Sequence, residues 1–594
     1  MVRDLELGLI GNCAFAALVD RRAEMVWACL PRFDGDPVFC SLLQPEGEGR
    51  GSFRVDLEGC VSSGQRYERN TAVLVTTLQD ADGGAVEVID FAPRFKKFGR
   101  LFRPATLVRI IRPLQGRPRI TLRVKPTGDF GAMDPGITTG SNHVRYLLPD
   151  MVLRLTTNAP VTAVLDETSF QLDHEVMLVL GPDEVVTRPL EEMVREFYAE
   201  TSDYWREWVR YLALPLEWQD AVIRAAITLK LCTFEDTGAV VAAVTTSIPE
   251  HAGSVRNWDY RHCWLRDSYF VVNALNRLGA TRTMEDYIRY VVNIGSDAAQ
   301  KRLKPVYRIN GRSDLEEREI TSLAGYRGIG PVRVGNDAHR QEQNDVYGAV
   351  ILSAAQAFFD SRLDSPGDAA LFTRLEYLGE TALQLHDKPD AGLWELRGRA
   401  SVHTFSSVMC WTACDRLARI ARHLHLDPRA EYWEKAAEGI RDTILLGAWN
   451  AMRGCFTATL GGDSLDASLL LMAELGIVSP SDPRFVATVE AIGRELKRGD
   501  YVFRYVEADD FGMPHNAFTL CTFWYIDALA QIGRREEARS LFEHMLARRS
   551  KVGMLSEHLD PASGELWGNF PQTYSMVGII HSAMRLSEPW EVAF

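Results

Sequence analysis

Hydrophobic and polar positions along this chain change period once. From Gly8 to about residue 185, apolar residues alternate with polar ones in short runs. The runs 71–78 and 85–89 flank Asp82-Gly83, a dipeptide suited to the turn of a β-hairpin. Similar runs follow at 120–124, 143–148, 151–156 and 176–180. Many short strands with turn punctuation predict an antiparallel β-sandwich. A charged segment rich in Tyr and Trp, from Glu191 to about Leu212, then reads as a connecting helix. Beyond it Trp218, Val222, Ala225, Leu229 and Cys232 recur at helical spacing, and that period persists to the end. The expected division is a β-sandwich domain over 1–188, a helical linker over 189–214 and a helical domain over 215–594.

The helical part contains about twelve segments of this kind. They are 216–235, 264–279, 282–297, 343–362, 368–386, 404–423, 429–446, 465–476, 483–497, 517–532, 535–549 and 571–587. Every second link is short, at most about six residues, as in helical hairpins. The others run from roughly seventeen to forty-five residues, a length that usually carries function. This alternation puts all long loops at one end. A closed double ring of six hairpins, an (α/α)6 barrel, satisfies it. A superhelical solenoid would show self-similarity between hairpins, and none is visible.

Composition narrows the partners. The 594 residues are 46% hydrophobic and 25% charged, as in ordinary globular proteins of more than one domain. A net charge of −14 without basic clusters argues against a nucleic-acid partner. Asp4 and Glu6 interrupt any apolar leader core, and no apolar run is long enough to span a bilayer, so no membrane partner and a cytoplasmic location are expected. The ten cysteines form no CxxC pair; Cys232 and Cys410 lie in apolar stripes and read as buried free thiols. The thirteen histidines show no HExxH or paired spacing, and no phosphate-binding glycine loop is present. No metal centre and no cofactor is expected.

The long loops hold the unusual residues. The first carries Arg256-Asn257-Trp258-Asp259-Tyr260-Arg261 and Trp264-Leu265-Arg266-Asp267, and the second ends in Pro331-Val332-Arg333-Val334-Gly335-Asn336. The third holds Leu393-Trp394-Glu395-Leu396-Arg397-Gly398, and the last holds Ser556-Glu557-His558-Leu559-Asp560-Pro561. Two loop carboxylates among tryptophans and arginines suit cleavage of a sugar acetal, which needs one acid to protonate the departing oxygen and one carboxylate to activate water or attack carbon. An Arg–Asp pair can hold adjacent hydroxyls, and tryptophans offer flat walls for a pyranose ring. A carboxyl enclosed beside a tryptophan is pushed up by desolvation, as a general acid requires. Plainer readings exist for each. Trp394-Glu395 could be a surface loop, Glu557 a solvated side chain, and Arg266-Asp267 an ion pair at a helix start. Asp345, Asp463 and Asp466 read as helix-start residues.

These segments, with Gly11–Asp20, Cys29–Asp34 and Gly568-Asn569-Phe570-Pro571-Gln572, resemble glycoside hydrolase family 15, the glucoamylase and bacterial-type trehalase family. The resemblance runs nearly end to end. It implies an N-terminal β-sandwich before an (α/α)6 catalytic barrel. It also implies that Glu395 is the general acid and Glu557 the general base, that Arg266 and Asp267 grip the terminal glucose, and that Trp264 and Trp394 line that subsite. Arg397 would be a further hydroxyl contact. The chain departs from the pattern at His558, where Glu or Gln is more familiar, and at Asn344, where an apolar residue is commoner.

The expected activity is therefore that of an inverting, exo-acting α-glucosidase of the glucoamylase type, releasing β-D-glucose from oligosaccharide ends. The alternative is a cytoplasmic α,α-trehalase using the same pair; the absence of a leader favours a small intracellular sugar over starch. A non-catalytic glucan-binding protein is a third reading, but it would not need an acid/base pair. An inverting pair should stand about 6.5–9.5 Å apart, against about 5 Å for a retaining one. The loops 299–342 and 498–515 are expected to supply the second sugar subsite. A homo-oligomer through the β-domain is compatible with the sequence without being demanded by it.

Overall fold

A computed structural model describes residues 3–45, 47, 49–298 and 302–593. Residues 1, 2 and 594, at the ends of the two expected domains, and 299–301 of the expected subsite loop lie outside the described residues. The N-terminal region is built of antiparallel strands in two main sheets. One has the order Leu7–Gly11, Ala16–Asp20, Met25–Cys29, Ser52–Leu57, Arg119–Lys125 and Phe170–Gln171, with Pro37–Phe39 paired to Met25–Cys29. The other runs Gly136–Thr139, His143–Leu147, Val152–Thr157, Val176–Pro182, Leu107–Gln115, Ala85–Phe91, Leu74–Asp80 and Cys60–Tyr67. The expected hairpin is present, with Leu74–Asp80 registered against Ala85–Phe91 and Gly83 at φ +85° in the turn. Leu18, Val86, Leu122, Val144 and Leu155 fill the core with alternate residues of these strands.

Two helices belong to this half: α1 (Val161–Leu165) and the connecting α2 (Leu190–Arg210). The remainder is helical: α3 (Gln219–Leu231), α4 (Leu265–Arg277), α5 (Thr281–Ala298), α6 (Asp345–Phe359), α7 (Ala369–Leu385), α8 (Thr404–His423), α9 (Asp427–Gly447), α10 (Met472–Leu475), α11 (Pro483–Glu495), α12 (Thr519–Gln531), α13 (Arg535–Ala547) and α14 (Thr573–Leu586). The even-numbered members touch in a closed circuit: α4 on α6, α6 on α8, α8 on the 3-10 turn Ala467–Leu471 before α10, that turn on α12, α12 on α14 and α14 on α4. The odd-numbered helices pack outside them. Burial follows position. Asp345–Ala355 of the inner α6 is buried without interruption, whereas the outer α9 buries one stripe through Ala430, Trp433, Ala437, Ile440 and Ile444. This is an (α/α)6 barrel preceded by an antiparallel sheet domain. No described helix is long and apolar enough to cross a membrane, and all ten cysteines are free, Cys60 half-buried and the others buried.

Three details differ from expectation. The helix expected over 465–476 is the 3-10 turn Ala467–Leu471 followed by the single turn α10; Asp466 caps its start and Gly476, at φ +92°, stops it before a second α-turn. Two of the short links are longer than expected, covering 360–368 and 476–482. The long loops carry small hairpins, among them Thr233–Phe234 with Ala239–Val240 and Arg318–Ile320 with Val332–Val334. Strands of two or three residues are too short to register as alternation.

The two halves are joined at the loop end of the barrel. Trp27 donates its ring N–H to the Val244 carbonyl at 2.8 Å. Arg261, fully buried, holds Asp259 through two hydrogen bonds of 2.9 and 2.8 Å and donates to the Gly35 carbonyl at 2.8 Å. The first long loop is thus pinned by the sandwich before it delivers Tyr260 and Trp264.

Candidate active site

Trp264, Arg266, Asp267, Trp394, Glu395, Arg397 and Glu557 all line one cavity at the loop end of the barrel. The first, second, third, fifth and sixth long loops contribute to its wall. The fourth contributes support: Asp466 accepts the ring N–H of Trp394 at 3.0 Å.

Glu395 stands on a turn closed by its own N–H to the Gly392 carbonyl at 3.1 Å, with Leu396 N–H on Ala391 at 3.2 Å. Gly392 has φ +67°, and a Cβ there would meet the His403 ring at 2.7 Å. Glu395 itself has φ +58°, a strained conformation for a non-glycine residue. Its Oε1 accepts Trp264 Nε1–H at 2.6 Å and Gln343 Nε2–H at 3.3 Å, and Arg266 lies 3.8 Å away. Enclosure pushes the carboxyl above the usual range, the cation of Arg266 and the Trp264 hydrogen bond opposing that rise without cancelling it.

Glu557 is 2% exposed. It precedes the strand His558–Leu559, which is paired on both sides by Ala517–Phe518 and Leu566–Trp567. Tyr260 donates its hydroxyl to Glu557 Oε1 at 2.5 Å. Gly568, at φ +77°, lies so close that a Cβ there would sit 2.8 Å from Glu557 Cβ, so the carboxylate is held by backbone on that side. The rings of Tyr260 and Trp264 meet edge to face at 5.3 Å, so adjacent rings each hold one of the two carboxylates.

Arg266 and Asp267 begin α4. Arg266 Nε is 3.3 Å from Asp267, and its NH1 donates to Asp345 at 3.0 Å and Gln343 at 2.9 Å. Burial raises Asp267 to about 6, against the lowering effect of Arg266 and with help from the charge of Glu395. Asp345, read above as a helix-start residue, does not cap α6: it is fully buried and spends Oδ2 on Arg266 of α4, which packs against α6. Asp466 does cap, accepting Ser468 N–H at 3.0 Å, and holds Trp394 besides; Asp463 lies exposed in the preceding loop. Arg397 pairs with Glu317 at 2.8 Å and lies over the Trp258 ring at 4.5 Å.

Sequence reading overlooked Tyr260, Glu250 and Arg504. Tyr260 sits inside a segment already singled out, four residues before Trp264, and its neighbourhood was the available signal. Glu250 and Arg504 had none: their paired contacts of 3.2 and 3.0 Å join loops that are distant in sequence. Among the described residues, Glu250, Glu557 and His558 bring possible ligand atoms within 4.8 Å of one another.

The model for glycosyl hydrolases family 15 matches residues 218–584, and that for a trehalase-like N-terminal domain matches 4–171. A trehalase of Mycolicibacterium smegmatis is 32% identical across 99% of this chain and 92% of its own length. One of Thermoplasma volcanium is 30% identical across 98% and 93%. A bacterial glucoamylase solved with acarbose superposes with a TM-score of 0.70 over 98% of this chain and 94% of its own at 13% identity, a likeness of fold. With that family model spanning more than half of the chain and a relative 32% identical across nearly all of it, the chain belongs to glycosyl hydrolase family 15.

Proposed function

We propose that this glycoside hydrolase is an inverting α,α-trehalase. Glu395 gives its proton to the oxygen bridging the two glucose units. Glu557 takes a proton from the water that attacks the anomeric carbon from the opposite face. Each cleavage then releases one β-glucose and one α-glucose. Arg266 and Asp267 hold the hydroxyls of the attacked sugar, with Trp264 and Trp394 as its walls; Arg397 reaches the departing one.

The roof over the cavity carries the choice of a disaccharide over a longer chain. Asp510 accepts the backbone N–H groups of Arg397 and Gly398 at 2.6 and 3.0 Å, and Phe511 packs on Trp258 at 5.2 Å. That strap ties the loop of Glu395 to Trp258 of the first long loop, and we infer that it limits the room for a glucan beyond the second sugar. The two relatives named above, both trehalases and matched over nearly the full chain, support the same reading.

Glucose release from trehalose, maltose, isomaltose and maltotriose, with the anomers followed by NMR, tests it. The expected result is turnover of trehalose alone, with α- and β-glucose appearing at equal initial rates. Preference for maltotriose would restore the glucoamylase-type reading. Trehalose cleaved to α-glucose only would overturn the inverting course.

A further inference from the structure

His558 directly follows Glu557, is 1% exposed, and places its ring between two carboxylates. Nδ1 stands 3.5 Å from Glu557 Oε2, and Nε2 stands 3.7 Å from Glu250 Oε2. Neither nitrogen makes a hydrogen bond to a described residue, so the two carboxylates are what it faces. Phe518 stacks on the ring at 5.1 Å and 25°, and the backbone on either side is fixed by strand pairing. The other charged and titratable groups around the pair are few. Tyr260 occupies the remaining oxygen of Glu557, while Arg504 (3.0 Å) and Arg256 (3.8 Å) face Glu250.

A neutral imidazole has one N–H and would turn a lone pair toward one of the two carboxylates. A doubly protonated ring turns an N–H to each. We propose that His558 is a positioning residue: wedged between Glu557 and Glu250, its ring turns an N–H to each and keeps Glu557 oriented toward the attacking water. The inference rests on the reading of Glu557 as the base. Glu250 agrees with it: burial alone would raise its carboxyl, yet Arg504, His558 and Arg256 together bring it down to about 2. A metal ion in the same cluster is disfavoured, because those two arginines already compensate Glu250 and would repel a second cation.

His558→Gln keeps a hydrogen-bonding side chain and removes the charge. An opposite charge this close shifts a carboxylate by about one unit or more. The acid limb of kcat/KM against pH should therefore move up by about one unit, a roughly tenfold loss on that side, while the basic limb set by Glu395 stays in place. Glu250→Gln removes an anion from the same cluster and should move that limb down whether or not His558 is charged, so where His558→Gln does not fold the ring decides: an imidazole NMR spectrum of the wild type showing a single N–H at the working pH overturns the proposal. A fall in rate that is uniform across pH, with both limbs unmoved, overturns the proposal. So does a divalent ion bound one per chain in the wild type, lost in both variants and required for activity. Turnover surviving in Glu557→Ala would be a different failure, that of the base itself.

Discussion

Glu395 and Glu557 are one residue type in two settings. Glu395 rides a strained turn at φ +58°, its side chain 25% exposed to the cavity, with a tryptophan N–H and an amide as its donors. The Glu557 side chain is 3% exposed beside a three-stranded sheet, between a tyrosine hydroxyl and a histidine. A general acid must arrive protonated and be able to release its proton; a base must arrive ionised and fixed. Enclosure gives the first condition to Glu395 by raising its carboxyl. The Tyr260 hydroxyl and the paired strand that follows Glu557 suit the second. On the proposed assignment, acid and base are distinguished by surroundings and not by residue type.

The largest expected effect tests this division of labour. Glu395→Gln and Glu557→Gln should each lower kcat on trehalose by about 10²–10⁴-fold. α-Glucosyl fluoride then separates them, since fluoride leaves without being protonated. Glu395→Gln should recover most of its rate on that substrate and Glu557→Gln should not. Equal recovery in both would mean that the roles are not divided this way.

A smaller effect sharpens the acid side. The Trp264 N–H stabilises the ionised form of Glu395, so Trp264→Phe leaves Glu395 protonated to higher pH. Activity that needs the protonated acid is lost as pH rises through its titration. The basic limb of kcat/KM should therefore move upward, by less than about one unit for a single neutral hydrogen bond. Because Trp264 also lines the sugar site, the position of the limb is the readout and not its height. A limb moving downward would remove Trp264 from this role.

The same contrast explains what could be read in the sequence. Long amphipathic runs such as 404–423 and 535–549 repeat the helical period several times, so the ring of helices was legible, as was the hairpin at Asp82-Gly83. Glu395 could be singled out because its flanks are distinctive, Trp394 beside it, Arg397 two residues on and the glycine that shapes its turn three residues before, although its donors Trp264 and Gln343 come from other loops. The surroundings of Glu557 are still less local. Glu250 acquires its meaning from Arg504 and His558, both more than two hundred residues away, and Asp345 from Arg266 across two helices. No spacing rule reaches such pairs, and a buried aspartate at a helix start looks in sequence like a cap.

The smallest effect concerns the strap that joins the two sides of the cavity. Arg504 and Asp509 hold its base side through Glu250 and Arg256, and Asp510 holds its acid side through the N–H groups of Arg397 and Gly398. Asp510 is exposed, so its two hydrogen bonds contribute only about 1 kcal/mol net. Asp510→Ala should raise KM for trehalose by roughly fivefold and leave kcat within about twofold, because neither carboxylate loses a donor. The opened mouth should also admit maltotriose, measured as glucose release that the wild type lacks. If KM is unchanged and maltotriose is still refused, the roof does not select the disaccharide, and the choice must lie deeper, where Arg397 meets Glu317. If kcat falls instead, the strap acts on the position of Glu395, and the acid's strained turn depends on a contact made from the opposite wall.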